Sequence, residues 1–87
     1  MMIYTRSVNL MEAELGDELV ALEPERGMCF GFNPVATRVW QLLAEPQSLE
    51  QLESALLDEF DVDATECRTQ LMELLAFFVS QNLLTLD

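Results

Sequence analysis

Apolar and polar residues alternate from Met11 to Leu15, with Glu12 and Glu14 between Met11, Ala13 and Leu15. A period of two marks a half-buried strand and predicts Met11, Ala13 and Leu15 turned towards a core. Gly16-Asp17 then suits a tight turn, because Gly tolerates positive φ and Asp favours turns. Leu19-Val20-Ala21-Leu22 follows as the returning strand of a hairpin. Pro24-Glu25-Arg26-Gly27 makes a second turn into Met28-Cys29-Phe30-Gly31-Phe32. This third strand carries Met28, Phe30 and Phe32 on one face and Cys29 and Gly31 on the other. Residues 1–9 are weakly patterned and fit either an arm or a first strand.

At Asn33-Pro34 the period changes from two to helical. Asn is a good N-cap, and Pro is favoured at the next position because its missing N–H costs nothing there. Ala36, Val39, Trp40 and Leu43 recur at helical spacing in a helix from Pro34 to about Ala44, so Trp40 reads as core. The direct joint fixes the angle between sheet and helix and makes Met28–Phe32 a candidate sheet edge, able to accept another chain. Glu45-Pro46-Gln47 breaks the helix. Ser48 with Gln51 forms a capping box for a second helix, whose buried stripe is Leu49, Leu52, Leu56 and Phe60. Asp61-Val62-Asp63 connects to a third helix, with Asp63 as N-cap and Glu66 in its first turn, running to about Gln81. The tail Leu83-Leu84-Thr85-Leu86 is apolar and packs back on the core. No repeat, linker or low-complexity segment interrupts the chain.

The third helix has an unusually wide apolar face. Leu74, Cys67, Phe78, Leu71, Leu75, Val79, Met72 and Ala76 span roughly 200° of the wheel, where a surface helix needs only about 100° or somewhat more. Either the sheet covers this face completely, or the side around Met72, Leu75, Ala76 and Val79 lines a groove, with Arg68 inside the arc to meet a carboxylate or a peptide carbonyl.

With 87 residues the chain is expected to form one domain with a modest core, and its 51% hydrophobic content argues against disorder. No run reaches membrane-spanning length, and the start MMIYTRSVN lacks a signal-peptide core, so a cytoplasmic location is expected. Cys29 and Cys67 are expected as reduced, buried thiols. Four Arg against 16 acids leave a net charge of −12. That field disfavours nucleic acid and anionic membranes and favours a basic peptide or protein face, while also keeping an apolar domain soluble. The chain has no His, so the commonest general base, metal ligand and nucleophile partner is missing. No enzymatic activity, cofactor or metal is expected.

Several motifs fail on inspection. Asp61-x-Asp63-x-Thr65 opens like a calcium loop, but Glu66 and Met72 stand where Gly and Glu are required. Cys29 and Cys67 lack the further ligands of a zinc site. Asp58 and Glu59 point to different sides of a helix and make no acid–base dyad. Ser48-Leu49 invites comparison with an acyl carrier, yet Pro46-Gln47 precede the serine and the N-terminal hairpin is foreign to a carrier's helical bundle. A winged helix-turn-helix on DNA would read with Glu66, Glu73 and a single Arg68, which is the wrong sign.

The run Gly27-x-x-Phe30-x-x-Asn33-Pro34-x-x-x-x-x-Trp40-x-Leu42-Leu43 resembles the PqqD-like domains, also called recognition elements of ribosomally made, modified peptides. Leu49-x-x-Leu52 and Phe60-Asp61-Val62-Asp63 are similar to the same family, and the likeness runs from about Met11 to Leu86. Phe32 stands where many members have Leu, a departure that touches packing. The resemblance implies an α+β, winged helix-turn-helix-like fold, with a three-stranded antiparallel sheet followed by three helices. It also implies a non-catalytic role: binding the leader segment of a precursor peptide as a strand added to the third strand, beside the third helix.

As a free-standing domain the chain most resembles the discrete recognition proteins of lasso peptide clusters, which work beside a transglutaminase-like cysteine protease or other modifying enzyme. Their leaders often carry a Tyr and a Pro a few residues apart, suited to an apolar pocket near Met72 and Leu75. Service to pyrroloquinoline quinone or another peptide pathway is the alternative. The wheel and the family pattern together predict the leader-binding set. Met28, Cys29, Phe30, Gly31 and Phe32 form the strand side, and Arg68, Leu71, Met72, Leu75, Ala76 and Val79 form the helix side.

Overall fold

The computed structural model describes residues 2–87. Its central sheet is antiparallel, in the order β2 (Met11–Leu15), β3 (Glu18–Glu23), β4 (Met28–Phe32). Gly16 at φ +69° and Gly27 at φ +64° make the two turns in the left-handed region that other L-residues rarely adopt. At the second turn the Arg26 Nε donates to both carboxylate oxygens of Glu23 at 2.8 Å, and an Arg26 Nη2 donates to the Gln81 carbonyl at the end of the third helix.

The joint after β4 is built as expected. Asn33 Oδ1 accepts the Ala36 N–H at 2.8 Å, Pro34 opens α1 (Pro34–Leu42), and Thr37 Oγ1 donates to the Phe32 carbonyl at 3.2 Å. The Ser48 box is reciprocal, at 3.1 Å from Gln51 N to Ser48 Oγ and 2.8 Å from Ser48 N to Gln51 Oε1. It starts α2 (Leu49–Glu59), and Asp63 caps α3 (Ala64–Ser80). Among the described residues no helix is long and apolar enough to cross a membrane.

A second small sheet was not foreseen from the sequence pattern. The N-terminal segment forms β1 (Ile3–Arg6), which pairs on one side with β5 (Gln47–Ser48) and on the other with β6 (Leu84–Leu86). The tail returns because α3 ends in a Schellman turn: Asn82 takes φ 60°, its N–H reaches Val79 O, and Leu83 N–H reaches Phe78 O. Leu83 and Leu84 thereby enter the core.

Trp40, Phe32 and Phe78 form the centre, with ring centroids 5.3 to 6.0 Å apart, and Leu52, Leu56, Leu71 and Leu75 close around them. Two expectations are corrected here. Met11, Ala13 and Leu15 are exposed, because the two-residue turn pairs Leu15 with Glu18 and therefore sets Glu14 opposite the buried Leu19 and Glu12 opposite the buried Ala21. The inward Glu12 is satisfied by the Trp40 indole N–H at 3.0 Å. Arg6 lies over the Trp40 ring at 4.2 Å from its centroid and donates to the Trp40 carbonyl. Cys29 is likewise exposed, since it sits on the outer side of β4, whereas Cys67 is buried.

Candidate functional site

Strand β4 pairs with β3 on one side and is the edge of its sheet on the other. An edge strand offers a row of free backbone donors and acceptors, a template for a further strand. Phe32, its last residue, already gives its carbonyl to Thr37. The stretch Met28 to Gly31 is therefore the more open part of the edge.

The flank of α3 that meets this strand is set by Phe77. Its ring stands edge-on to Phe30, centroids 6.4 Å apart and planes at 79°, and the residue remains 45% exposed. At 100° per residue, Gln70, Leu74 and Phe77 fall within about 60° of one another. Gln70 and Leu74 border a small apolar cavity of about 40 Å³ with Val35, Leu56, Phe60 and Leu71, at the start of α1 where β4 ends. At the other end, Arg26 donates to the Gln81 carbonyl and ties the β3–β4 turn to the end of α3. The open edge of β4 and the Phe77 flank of α3 thus lie side by side, joined through the Phe30 and Phe77 rings.

The structure brings together the strand half of the expected set but not the helix half. Phe30 and Phe32 turn inward and are buried, Cys29 and Gly31 turn outward, and Met28 is half-buried. On α3, Leu71 and Leu75 are shut in the core at 2% and 0% exposure, so they line no open surface. Val79 is half-buried against the core. Arg68 stands about 180° around the helix from Phe77, and its Nη1 donates to Glu53 of α2 at 3.0 Å. Met72, 51% exposed, and Ala76 lie about 140° and 100° from Phe77, on the side away from β4. The wheel gave the width of the apolar arc but not which border faced the strand. Phe77 lies outside that arc, and a large aromatic beyond the buried stripe was the available signal.

Charge around the site is structural. Arg26 bonded to Glu23 holds that carboxyl below the usual Glu range and raises the guanidinium in turn. Arg38 and Glu59 do the same between α1 and α2, with Nε–Oε1 at 2.7 Å. Burial pushes the Cys67 thiol up, and the Glu53 carboxylate adds to the effect. Among the described residues no group of three or more His, Cys, Asp or Glu is placed to hold a metal ion.

Comparison with known proteins follows the same geometry. The structure described as TbiB1 in complex with the TbiA(beta) leader peptide is 30% identical, covering 92% of this chain and 93% of that one at a TM-score of 0.80. A lasso peptide synthetase B1 complexed with its leader peptide is 17% identical over 94% of this chain and 96% of that one, at a TM-score of 0.78, and shares the fold. No curated protein matches the sequence. Residues 18–84 match the family of coenzyme PQQ synthesis protein D, PqqD. With its sheet, helix order and most of its length accounted for in this way, the chain belongs to the PqqD family.

Proposed function

We propose that the chain binds the leader segment of a ribosomally made precursor peptide as a strand added to β4, within the cleft beside α3. It acts as one non-catalytic recognition domain and presents the peptide to a separate enzyme. The observation that carries this reading is the unpaired edge of β4 facing the exposed Phe77 flank. Main-chain bonds along Met28–Gly31 supply affinity, and alternate guest side chains enter the apolar floor near Phe30, Leu74 and Phe77. In support, a relative at 30% identity has been captured with a leader peptide. The absence of His from the sequence fits a protein that leaves chemistry to others.

The lasso peptide pathway is favoured, with a transglutaminase-like cysteine protease as the downstream enzyme; in support, the relative at 30% identity is a leader-peptide complex, and a lasso peptide synthetase B1 shares the fold. A second reading, service to pyrroloquinoline quinone synthesis, draws on the description of the matching family. Fluorescence anisotropy with labelled leaders of both classes separates them. A lasso leader is expected to bind at least about tenfold more tightly, a difference of roughly 1.4 kcal/mol. Equal or reversed affinities would move the assignment to the second pathway.

A further inference from the structure

Glu73 precedes Phe77 by one helical turn and lies about 40° from it, on the solvent side of the flank that meets β4. Leu74 lies about 60° from Phe77 on the other side, packed against the core. Glu73 is exposed and sits in mid-helix, out of reach of the helix N-terminus that favours Glu66 in the first turn. Its neighbours three and four residues away, Thr69, Gln70, Ala76 and Phe77, include no cation. The chain has no Lys or His, and its four arginines are engaged elsewhere. Arg6 lies over Trp40, Arg26 is paired with Glu23, Arg38 with Glu59 and Arg68 with Glu53. Among the described residues no basic side chain is left to partner Glu73.

We propose that Glu73 selects leaders that carry a Lys or Arg two residues from the apolar side chain seated on Phe77. The proposal rests on the leader-binding reading above and adds the chemistry of the guest. Spacing fixes the position. Four residues of helix rise about 6.0 Å, and two residues of strand advance about 6.6–6.8 Å. Neighbours on one face of the guest strand therefore match Phe77 and Glu73, and both turn towards α3. The ends of the two elements set the direction. Gln81 at the end of α3 is tied to the turn before Met28, whereas Gln70 and Leu74 lie beside Val35, just after Phe32. Helix and strand thus run in opposite senses, and the cation belongs on the side of the anchor nearer the Phe32 end of β4. The methylene stem of a Lys or Arg covers the outer edge of the Phe77 ring while its head reaches the Glu73 carboxylate. An acidic residue at that position meets Glu73 within a chain of net charge −12 and is rejected.

The test is fluorescence anisotropy of the full chain with the labelled leader of the precursor encoded beside it, and with copies of that leader in which each Lys or Arg in turn becomes Glu. Glu73→Gln is expected to weaken binding of the unaltered leader about threefold to fivefold, the upper part of the range for exposed ion pairs. Glu73→Lys is expected to weaken it about tenfold or more, and both losses shrink as salt rises. Met72→Lys makes the same change in net charge as Glu73→Gln but on the far border of the helix, and is expected to leave affinity within about twofold. One charge-reversed leader, altered two residues from its apolar anchor, is expected to lose affinity for the parent and regain it with Glu73→Lys. A loss for Glu73→Gln no greater than that for Met72→Lys overturns the proposal, because the overall field then acts without a local pair. So does undiminished binding of every charge-reversed leader, or a set in which Glu73→Lys rescues none. Failure of the leader-binding reading looks different: the parent then does not bind the unaltered leader at any salt concentration, and both readings fall together.

Discussion

Phe77 of α3 stands edge-on to Phe30 of β4, ring centroids 6.4 Å apart, and this contact decides which flank of the helix faces the open strand. The apolar arc alone points to the opposite border, at Met72 and Ala76.

The two borders give opposite expectations. Phe77→Asp places a charge in the cleft and is expected to weaken leader binding at least about tenfold, with the fold retained because the side chain is half in solvent. Met72→Asp, about 140° around the helix, is expected to leave affinity within about twofold. Anisotropy titration of both variants, checked by circular dichroism, reads the difference. Equal loss in both would return the site to the Met72 border.

Much of the fold is legible in the sequence because its signals are local. Asn33-Pro34, the Ser48–Gln51 box and Asp63 each act within one helical turn, and each caps the expected helix. The second sheet is not legible in this way. Its strands of two to four residues are too short for periodicity and pair across almost the whole chain, as Tyr4 with Leu86 shows. Alternation at Met11–Leu15 gives the period of a strand but not its sign. The sign follows only once the Gly16-Asp17 turn fixes Leu15 opposite Glu18. The strand half of the candidate site is legible for the same local reason, whereas the helix half depends on a packing angle that no short pattern encodes.

Trp40 is fully buried against Phe32 and Phe78, and its indole N–H is bonded to Glu12. Trp40→Ala is expected to destabilise the chain by about 3–5 kcal/mol in urea unfolding. Glu12→Ala leaves the indole N–H without its partner and is expected to cost about 1–3 kcal/mol. A Glu12→Ala variant as stable as the parent would show that the inward carboxylate is idle.

The Glu23–Arg26 pair predicts an acid limb. The folded state holds Glu23 below the usual carboxylate range through its bonds to Arg26. Stability from the pair is therefore present above the unfolded Glu value of about 4.3 and is lost as pH falls through the lower folded value. Urea midpoints measured across this range are expected to fall more steeply for the parent than for Glu23→Gln. Parallel curves would contradict the assignment.

The two thiols are expected to differ. Cys29 is exposed on β4, while Cys67 is buried with its thiol pushed up by burial. Maleimide labelling followed by mass spectrometry is expected to modify Cys29 first and Cys67 only on the timescale of unfolding. Equal rates would mean that α3 opens locally.

The central claim is that a guest peptide adds a strand to β4. It is tested most directly by amide hydrogen exchange of the intact chain, read by NMR with and without leader peptide. The account predicts slowed exchange at the alternate amides between Met28 and Phe32 whose N–H points away from β3, and cross-strand contacts from guest backbone to this stretch. Protection confined to the Met72 border, or none on β4 at saturating peptide, would contradict it.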